Sequence, residues 1–170
     1  MNFTVSTIAK SLADYLAPNF PGVQFYEGPN QQGTRPPCMF LQQRYSYIEL
    51  RQAGRYLRRI GLNLTYLVDY NLPELQALYE AASEILDQML ETFPYTDGVT
   101  TAPLSADAPP GTQPEILYTL LRTYDRESRI DLDALHYKFE LKVWVERPGD
   151  EVKMREMTLD QEVTDGTESP

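Results

Sequence analysis

A strict alternation of side chains between residues 55 and 68 restricts the fold of this chain more than any other feature. Apolar side chains occupy every second position in its later part: Ile60, Leu62, Leu64, Tyr66 and Val68. The positions opposite them hold Arg59, Gly61, Asn63, Thr65 and Leu67. A period of two is typical of an antiparallel strand with one face on a core and one wetter face. The segment therefore predicts a sheet with two unlike faces.

A second strand precedes this one closely enough to predict a hairpin. Residues 38–49 are apolar at their start and aromatic later. Proline cannot donate to a strand ladder, so Pro36 and Pro37 place the start of this strand at about Cys38. The short connection contains Gly54, which adopts a positive φ without steric cost, as hairpin turns require.

Two stretches show the spacing of amphipathic helices. Apolar residues recur every three or four positions over residues 5–16, which predicts a short N-terminal helix. A longer apolar stripe runs from residue 75 to residue 93 and predicts a helix over roughly 73–92. Pro73 suits its first position, and Pro94 would end it. We expect this long helix to lie across the sheet and to bury most of its stripe.

The remaining segments complete the order of elements. Residues 23–26 predict a short strand, and residues 115–124 and 134–146 predict two longer ones. Residues 97–114 are loop-like, with several prolines and small polar residues. Within that loop, residues 99–104 are a candidate edge strand.

These elements predict an α+β fold, in which a mostly antiparallel sheet is packed by one long amphipathic helix and a short N-terminal helix. A length of 170 residues suits one domain, and we place it over residues 1–148. An extended acidic C-terminal tail would follow over residues 149–170. No apolar run approaches the length of a membrane span, and the N-terminus lacks the pattern of a secretory signal. The single cysteine, Cys38, excludes an internal disulfide and fits a reducing cytosol.

Charge is spread unevenly over the chain. The net charge of −10 argues against broad binding to nucleic acid or anionic lipid. Acidic residues are concentrated in the last 21 residues, where only Lys153 and Arg155 oppose them. Basic residues are concentrated between residues 44 and 59, where only Glu49 opposes five arginines. This asymmetry suits self-assembly through unlike surfaces; solvated charge near a chain end is the alternative interpretation.

The residues that usually carry enzymatic chemistry are sparse. His136 is the only histidine, which excludes a metal site or catalytic triad that needs two. We expect His136 on the polar face of its strand and Cys38 as a buried, inert thiol. The glycine-rich phosphate loops and the nucleophile elbow are missing from the sequence. We therefore predict no catalytic, cofactor-binding or metal-binding residues, and no enzyme.

One acidic cluster needs separate consideration, because four carboxylates lie between two predicted strands: Asp125, Glu127, Asp131 and Asp133. Oxygen ligands of this kind could hold calcium or magnesium. Their spacing is not that of an EF-hand loop, however, and no glycine provides its sharp turn. Neighbouring arginines can also pair with the acids. These observations favour a solvated, charged turn over a metal site.

The basic segment has two interpretations, a nucleic-acid patch or a protein interface. No RNA-binding aromatic motif accompanies the arginines, and the overall charge repels phosphate. Tyrosine and arginine are both enriched at protein interfaces. We therefore predict a subunit interface, formed by Arg44, Tyr45, Tyr47, Arg51, Arg55, Arg58 and Arg59.

The order of elements and several local patterns together resemble a known family. The patterns are Gln32-Gly33-x-x-Pro36-Pro37-Cys38-Met39-Phe40, then Tyr56-Leu57-Arg58-Arg59, then a strand ending in Tyr66, and finally Trp144-Val145-Glu146-Arg147. Over roughly residues 5–147, the chain resembles the tail terminator (tail completion) proteins of phages and phage-like particles of Gram-positive bacteria. The segment 99–114 and the tail after Pro148 are longer than that pattern requires.

This resemblance implies a structural protein without cofactors. Such proteins form a homo-oligomeric ring, usually a hexamer, at the head-proximal end of the tail tube. The ring ends tube polymerisation, engages the sheath in contractile tails and offers a docking face to the neck or connector proteins. It lies at the tail–neck junction of the virion, after synthesis in the host bacterial cytoplasm, and DNA contacts it only in transit.

The acidic tail would serve such a ring as a partner-docking arm, with Asp150, Glu151, Glu156, Asp160 and Glu162 as its contacts. Two alternatives stay open at this point. The chain could be a neck or head–tail connector subunit, which shares the small α+β build. It could also be a small-molecule-binding module with a pocket between the sheet and the helix over 73–92.

Overall fold

Six strands form a single sheet, and two α-helices pack on one of its faces. The computed structural model describes residues 1–28 and 33–146. Its elements are α1 (Val5–Leu16), β1 (Gln24–Tyr26), β2 (Cys38–Gln52), β3 (Arg55–Leu67), α2 (Leu75–Met89), β4 (Thr92–Tyr95), β5 (Thr119–Ile130) and β6 (Leu135–Glu146). A single 3-10 turn over Ala17–Asn19 follows α1. The predicted acidic tail lies outside the described residues.

The strand order across the sheet is β1-β2-β3-β6-β5-β4. Only β1 and β2 run parallel, and every other neighbouring pair is antiparallel. In the central pair, Leu64 of β3 lies opposite Tyr137 of β6, and Leu62 lies opposite Phe139. All four of these side chains are buried. The α+β class and the core face predicted for β3 are therefore confirmed. The opposite face is less wet than predicted, since Gly61 and Thr65 on it are also buried.

Helix α1 agrees with the prediction for residues 5–16. Thr4 caps its N-terminus, since the Thr4 side chain accepts a hydrogen bond from the Thr7 backbone N–H at 3.2 Å. The residues that face the sheet, Ile8, Leu12 and Leu16, are fully buried. The helix contacts both β2 and β4, so it lies across the far strands of the sheet.

Helix α2 is shorter than the predicted helix over 73–92. It contains 15 residues, because the backbone of Glu74 adopts a left-handed conformation (φ 58°) immediately before it. Pro73 therefore lies before the helix and not at its first position. The end was also placed wrongly: Phe93, the last residue of the apolar stripe, belongs to β4, as does Pro94. The apolar stripe, with its helical period of 3.6 residues, continues into the buried strand β4, and periodicity alone does not separate the helix from the strand.

The loop after β4 and the strand that follows it also differ from the prediction. Residues 99–104 form no strand; a single bridge joins Thr101 to Ile116. Strand β5 begins at Thr119 and continues to Ile130, well past the predicted end at residue 124. As a result, Asp125 and Glu127 lie in β5, at a register shift between Tyr124 and Glu127 opposite β6. The predicted turn is confined to the four residues between β5 and β6.

Asp97 ties the N-terminus to this loop. Its Oδ2 accepts hydrogen bonds from the Thr100 hydroxyl at 2.6 Å and from the Asn2 backbone N–H at 2.8 Å. Its Oδ1 accepts from the Thr100 backbone N–H at 2.8 Å. The bonds from Thr100 hold the pKa of the Asp97 carboxyl well below its usual range. The charged carboxylate therefore stabilises the folded state.

Replacing Asp97 with alanine should lower the free energy of unfolding by about 1.5–3 kcal/mol at neutral pH, the usual value for hydrogen bonds to a charged group. Because the pKa is lowered on folding, this stability is complete above the unfolded-state pKa. It is lost as the pH falls below about 4 towards the folded-state pKa. Urea titrations of both proteins between neutral and acid pH would check this. The control is the replacement of Asp107, an exposed carboxylate of the same loop. If the free energies of unfolding of wild type and the Asp97 variant differ by the same amount at every pH, the charged form of Asp97 is not what stabilises the fold.

Candidate assembly surface

The end of the β2–β3 hairpin is exposed to solvent. Residues 47–55, which we call the hairpin tip, are all exposed. The turn has positive φ at Ala53 (43°) and Gly54 (74°), which confirms the predicted turn position. Three large apolar side chains lie on the hairpin tip with nearly half of their surface in water: Tyr47 at 46%, Ile48 at 45% and Leu50 at 49%. Exposed apolar groups on a projecting element are typical of a binding surface.

A buried carboxylate anchors the base of the hairpin. The side chain of Glu140, in β6, is only 1% exposed. Its Oε1 accepts from Arg59 Nε at 2.7 Å, and its Oε2 accepts from the Tyr45 hydroxyl at 2.8 Å. We call these three residues the Glu140 cluster. A buried charge is costly unless it is paired and hydrogen-bonded, so the cluster ties β2 and β3 firmly to β6.

The pKa values reflect this environment. The hydrogen bond to Glu140 raises the pKa of the Arg59 guanidinium above its ordinary value. Burial, followed by the hydrogen bond to Glu140, raises the pKa of the Tyr45 hydroxyl. Arg59 also lies 3.5 Å from a carboxylate oxygen of Asp125 and 3.6 Å from one of Glu49. Arginine and tyrosine therefore keep the protonation states that these contacts require.

Gly61 makes room for the cluster. It lies opposite Tyr45 on β2 and opposite Glu140 on β6. A Cβ atom at this position would stand 2.3 Å from Cζ of the Tyr45 ring, far inside van der Waals contact. The ring of Tyr45 thus lies directly on the glycine backbone, and only glycine permits this packing.

The structure divides the predicted interface residues into an inner and an outer group. Arg58 and Arg59 are inner residues: Arg58 Nε donates to Ser46 Oγ at 2.6 Å, and Arg59 binds Glu140. The outer arginines make no ion pair within residues 1–28 and 33–146; they are Arg44, Arg51 and Arg55. The predicted docking-arm residues Asp150, Glu151, Glu156, Asp160 and Glu162 lie outside the described residues.

Aromatic rings hold part of this surface in place. The guanidinium of Arg44 lies 5.5 Å from the centroid of the Tyr45 ring, and that of Arg59 lies 5.5 Å from the Tyr47 ring. Arg55 lies 5.8 Å from the ring of Trp144, the exposed aromatic residue near the end of β6. Cation–π contacts at exposed sites contribute about 0.5–1 kcal/mol each. Tyr45 and Tyr47 were predicted to belong to one interface with the arginines, and their rings do lie beside arginine side chains.

The residues considered for chemistry have ordinary structural surroundings. His136 is on the polar face, as predicted, with Nε2 3.4 Å from an Asp131 carboxylate oxygen. Cys38 is buried, as predicted, and burial raises the pKa of its thiol. Over the described residues, no group of three histidine, cysteine or acidic side chains is placed to hold a metal ion. In the same part of the chain, no helix is both long and apolar enough to cross a bilayer.

A comparison with protein families decides where the chain belongs. Residues 7–103 match the family model described as "Phage tail terminator protein", which spans more than half of the 170 residues. The chain belongs to a phage tail terminator family. The predicted resemblance is thereby confirmed, and it supports a structural role in a phage tail. No curated protein matches the chain.

The terminator match begins inside α1 and continues past β4, and it includes the whole hairpin and α2. Strands β5 and β6 follow the matched segment, so Glu140 lies outside it, whereas Tyr45, Arg59 and Gly61 lie inside. Phage tail terminators form a structural protein family, which favours assembly over catalysis for this chain. The Glu140 cluster, which anchors the hairpin, therefore takes one of its three residues from a strand beyond the matched region.

Proposed function

We propose that this protein forms a ring that caps the head-proximal end of a phage tail tube. The ring would end tube and sheath polymerisation and offer a docking face to the neck. Family membership supports a tail role, and the hairpin tip is the observation that carries the ring proposal. Exposed apolar groups project there from a fixed base, together with arginines that make no ion pair in the described part of the chain.

The hairpin tip has the composition of an interface. Tyrosine and arginine are enriched at interface cores, where they combine apolar surface with hydrogen bonding. Burial of the exposed halves of Tyr47, Ile48 and Leu50 would contribute about 1 kcal/mol each. The Glu140 cluster fixes the hairpin before binding, so that little conformational entropy is lost on association.

In the proposed ring, the subunits contact one another head to tail, and the resemblance implies six copies. Its partners are further copies of the chain, the tube protein and, at the outer faces, sheath and neck proteins. A net charge of −10 also suits a ring through which DNA passes, because a basic lumen would retain the polyanion.

The experiment that tests this proposal is the mass of the purified protein in solution, with and without tube protein, followed by negative-stain imaging. Rings, or caps on one end of the tubes, are the expected result. A strict monomer that leaves tube length and tube ends unchanged would overturn the proposal.

Reversing Arg51 and Arg55 to glutamate should abolish ring formation and leave the fold intact. Both side chains are exposed and make no ion pair within the described residues. The monomer therefore loses only the contact of Arg55 with the Trp144 ring, about 0.5–1 kcal/mol. Arg58 and Arg59 are poorer choices, because each already has a partner in its own chain. Sedimentation velocity measures assembly, and circular dichroism measures the fold.

The matched control is the pair Lys10→Glu and Arg35→Glu, which changes the net charge equally at exposed positions away from the hairpin. This control should assemble like the wild type. Rings formed by the Arg51→Glu/Arg55→Glu protein would remove the hairpin tip from the interface.

A further inference from the structure

The solvent side of α2 carries two neighbouring carboxylates. Glu80 and Glu84 lie four residues apart on one side of the helix, and both are exposed. We call these two residues the acidic face. Asp87, one turn further along, is not part of it, because its Oδ1 accepts a hydrogen bond from the Tyr137 hydroxyl at 2.5 Å. The segment from residue 73 to residue 95 contains no lysine or arginine. Within residues 1–28 and 33–146, no salt bridge reaches the acidic face.

This arrangement is unfavourable for an isolated helix. Like charges spaced three or four residues apart destabilise a helix by about 0.2–0.5 kcal/mol per pair. At the C-terminal end of α2 the guanidinium of Arg126, in β5, already donates to the Asp87 carbonyl at 2.7 Å, so the repulsion concerns Glu80 and Glu84. A cationic surface placed against the acidic face would relieve it.

The shape of this side of the helix permits close approach. Ala77 and Ala81 lie exposed beside the carboxylates. The opposite side of α2 is occupied, since Tyr79 and Leu86 are buried in the core. The exposed side therefore combines small residues with two negative charges.

The hairpin tip is the complementary surface on this molecule. It carries Arg51 and Arg55, which make no ion pair within the described residues, next to the exposed apolar groups. We propose that the acidic face of α2 in one copy binds the hairpin tip of the neighbouring copy. This inference rests on the proposed ring and names the second half of its subunit interface.

The hairpin tip of the same chain cannot make this contact. The hydroxyl of Tyr79, near the start of α2, accepts from the Val68 backbone N–H at 3.2 Å, just past the end of β3. Arg55 begins that 13-residue strand at the opposite end. At about 3.3 Å per residue, the two ends are about 40 Å apart. The acidic face and the hairpin tip of one copy are therefore too far apart to contact each other, so each is available to a different neighbouring copy.

Two unlike surfaces on one subunit give a heterologous contact, which closes into a ring when the rotation per subunit divides a full turn. In such a ring, every copy would bind one neighbour through its hairpin tip and the other through its acidic face. Exposed arginines against exposed carboxylates also fix the orientation of the contact, since the reversed arrangement places like charges together.

Reciprocal charge reversal tests the contact. Glu80→Arg/Glu84→Arg and Arg51→Glu/Arg55→Glu should each weaken assembly by at least about a hundredfold, as expected for like charges brought together. The protein with all four changes should assemble again. An equimolar mixture of the two double variants should also form rings with alternating copies, because each hairpin tip then meets a face of opposite charge.

The control is Asp107→Arg/Glu115→Arg, which makes the same charge change on exposed residues of the loop before β5. Melting temperatures establish that each variant is folded. Normal rings from the Glu80→Arg/Glu84→Arg protein would overturn the contact, as would failure of both the four-change protein and the mixture to assemble. If the wild type itself forms no rings or caps, the proposed function fails first, and the two failures are thus distinguished.

Discussion

Replacing Glu140 with alanine should lower the free energy of unfolding by about 3 kcal/mol, the usual cost of removing one partner from a buried ion pair. The Arg59 guanidinium would lose its nearest acceptor, 2.6 Å away, and the Tyr45 hydroxyl would lose its partner as well. Asp125 and Glu49 lie farther from Arg59 and are more exposed, so they can replace Glu140 only in part. Chemical denaturation of wild type and variant would measure the loss.

A matched control lies on the adjacent strand. Glu127 is an exposed glutamate of β5, and its replacement by alanine should change stability by about 0.5 kcal/mol or less. Replacing Arg59 and Glu140 together with methionine and leucine should recover most of the loss, because no charge is then left buried alone. Equal costs for the Glu140 and Glu127 variants would mean that the cluster contributes nothing special.

Replacing Gly61 with alanine should cost about 1–3 kcal/mol, the usual range for an added methyl group in a packed site. The new Cβ would displace the Tyr45 ring, because Cζ of that ring lies 2.3 Å from the ideal position of the Cβ atom. The displaced hydroxyl would no longer reach Glu140, so the hairpin would be held less firmly. We expect weaker ring formation together with the lower stability.

A double-mutant cycle separates this mechanism from a general strand effect. In a Tyr45→Ala background, the change of Gly61 to alanine should cost little, because the obstructing ring is already gone. Gly28→Ala is the control, since a Cβ there meets nothing within 4 Å. Equal costs in both backgrounds would contradict the proposed packing of Tyr45 on Gly61.

The sequence predicted the fold best where periodicity and turn chemistry agreed. Alternation fixed β3 and β6 nearly to the residue, and Gly54 marked the hairpin turn. The prediction was wrong at the junction of α2 and β4, where a helix with a period of 3.6 residues is followed almost directly by a strand with a period of two. There, apolar residues of a helix and of a buried strand follow each other without a turn signal long enough to separate them.

The candidate site was predicted in composition but not in arrangement. The Arg/Tyr clustering indicated the hairpin surface, yet nothing distinguished the half-buried Arg59 from the exposed Arg51. The burial of Glu140 could not be predicted from the sequence, because the alternation along β6 assigns a face and not the depth of burial. A usable signal existed for Gly61: an isolated glycine inside a strand pattern often marks the close approach of another group. The residue that packs on Gly61 is Tyr45 of the adjacent strand, and identifying it requires the pairing register of β2 and β3.

The register shifts in β2 have a consequence for the outer edge of the sheet. Strand β1 covers β2 only from Cys38 to Phe40, and the described residues place no strand beside the rest. The ladder between β2 and β3 is shifted between Gln43 and Tyr45 and again between Ile48 and Leu50. Such irregularities bend a strand and interrupt its row of hydrogen-bonding groups. A long open edge is thereby a poor template for a further strand, which would suit the proposed role of ending a polymer without seeding another.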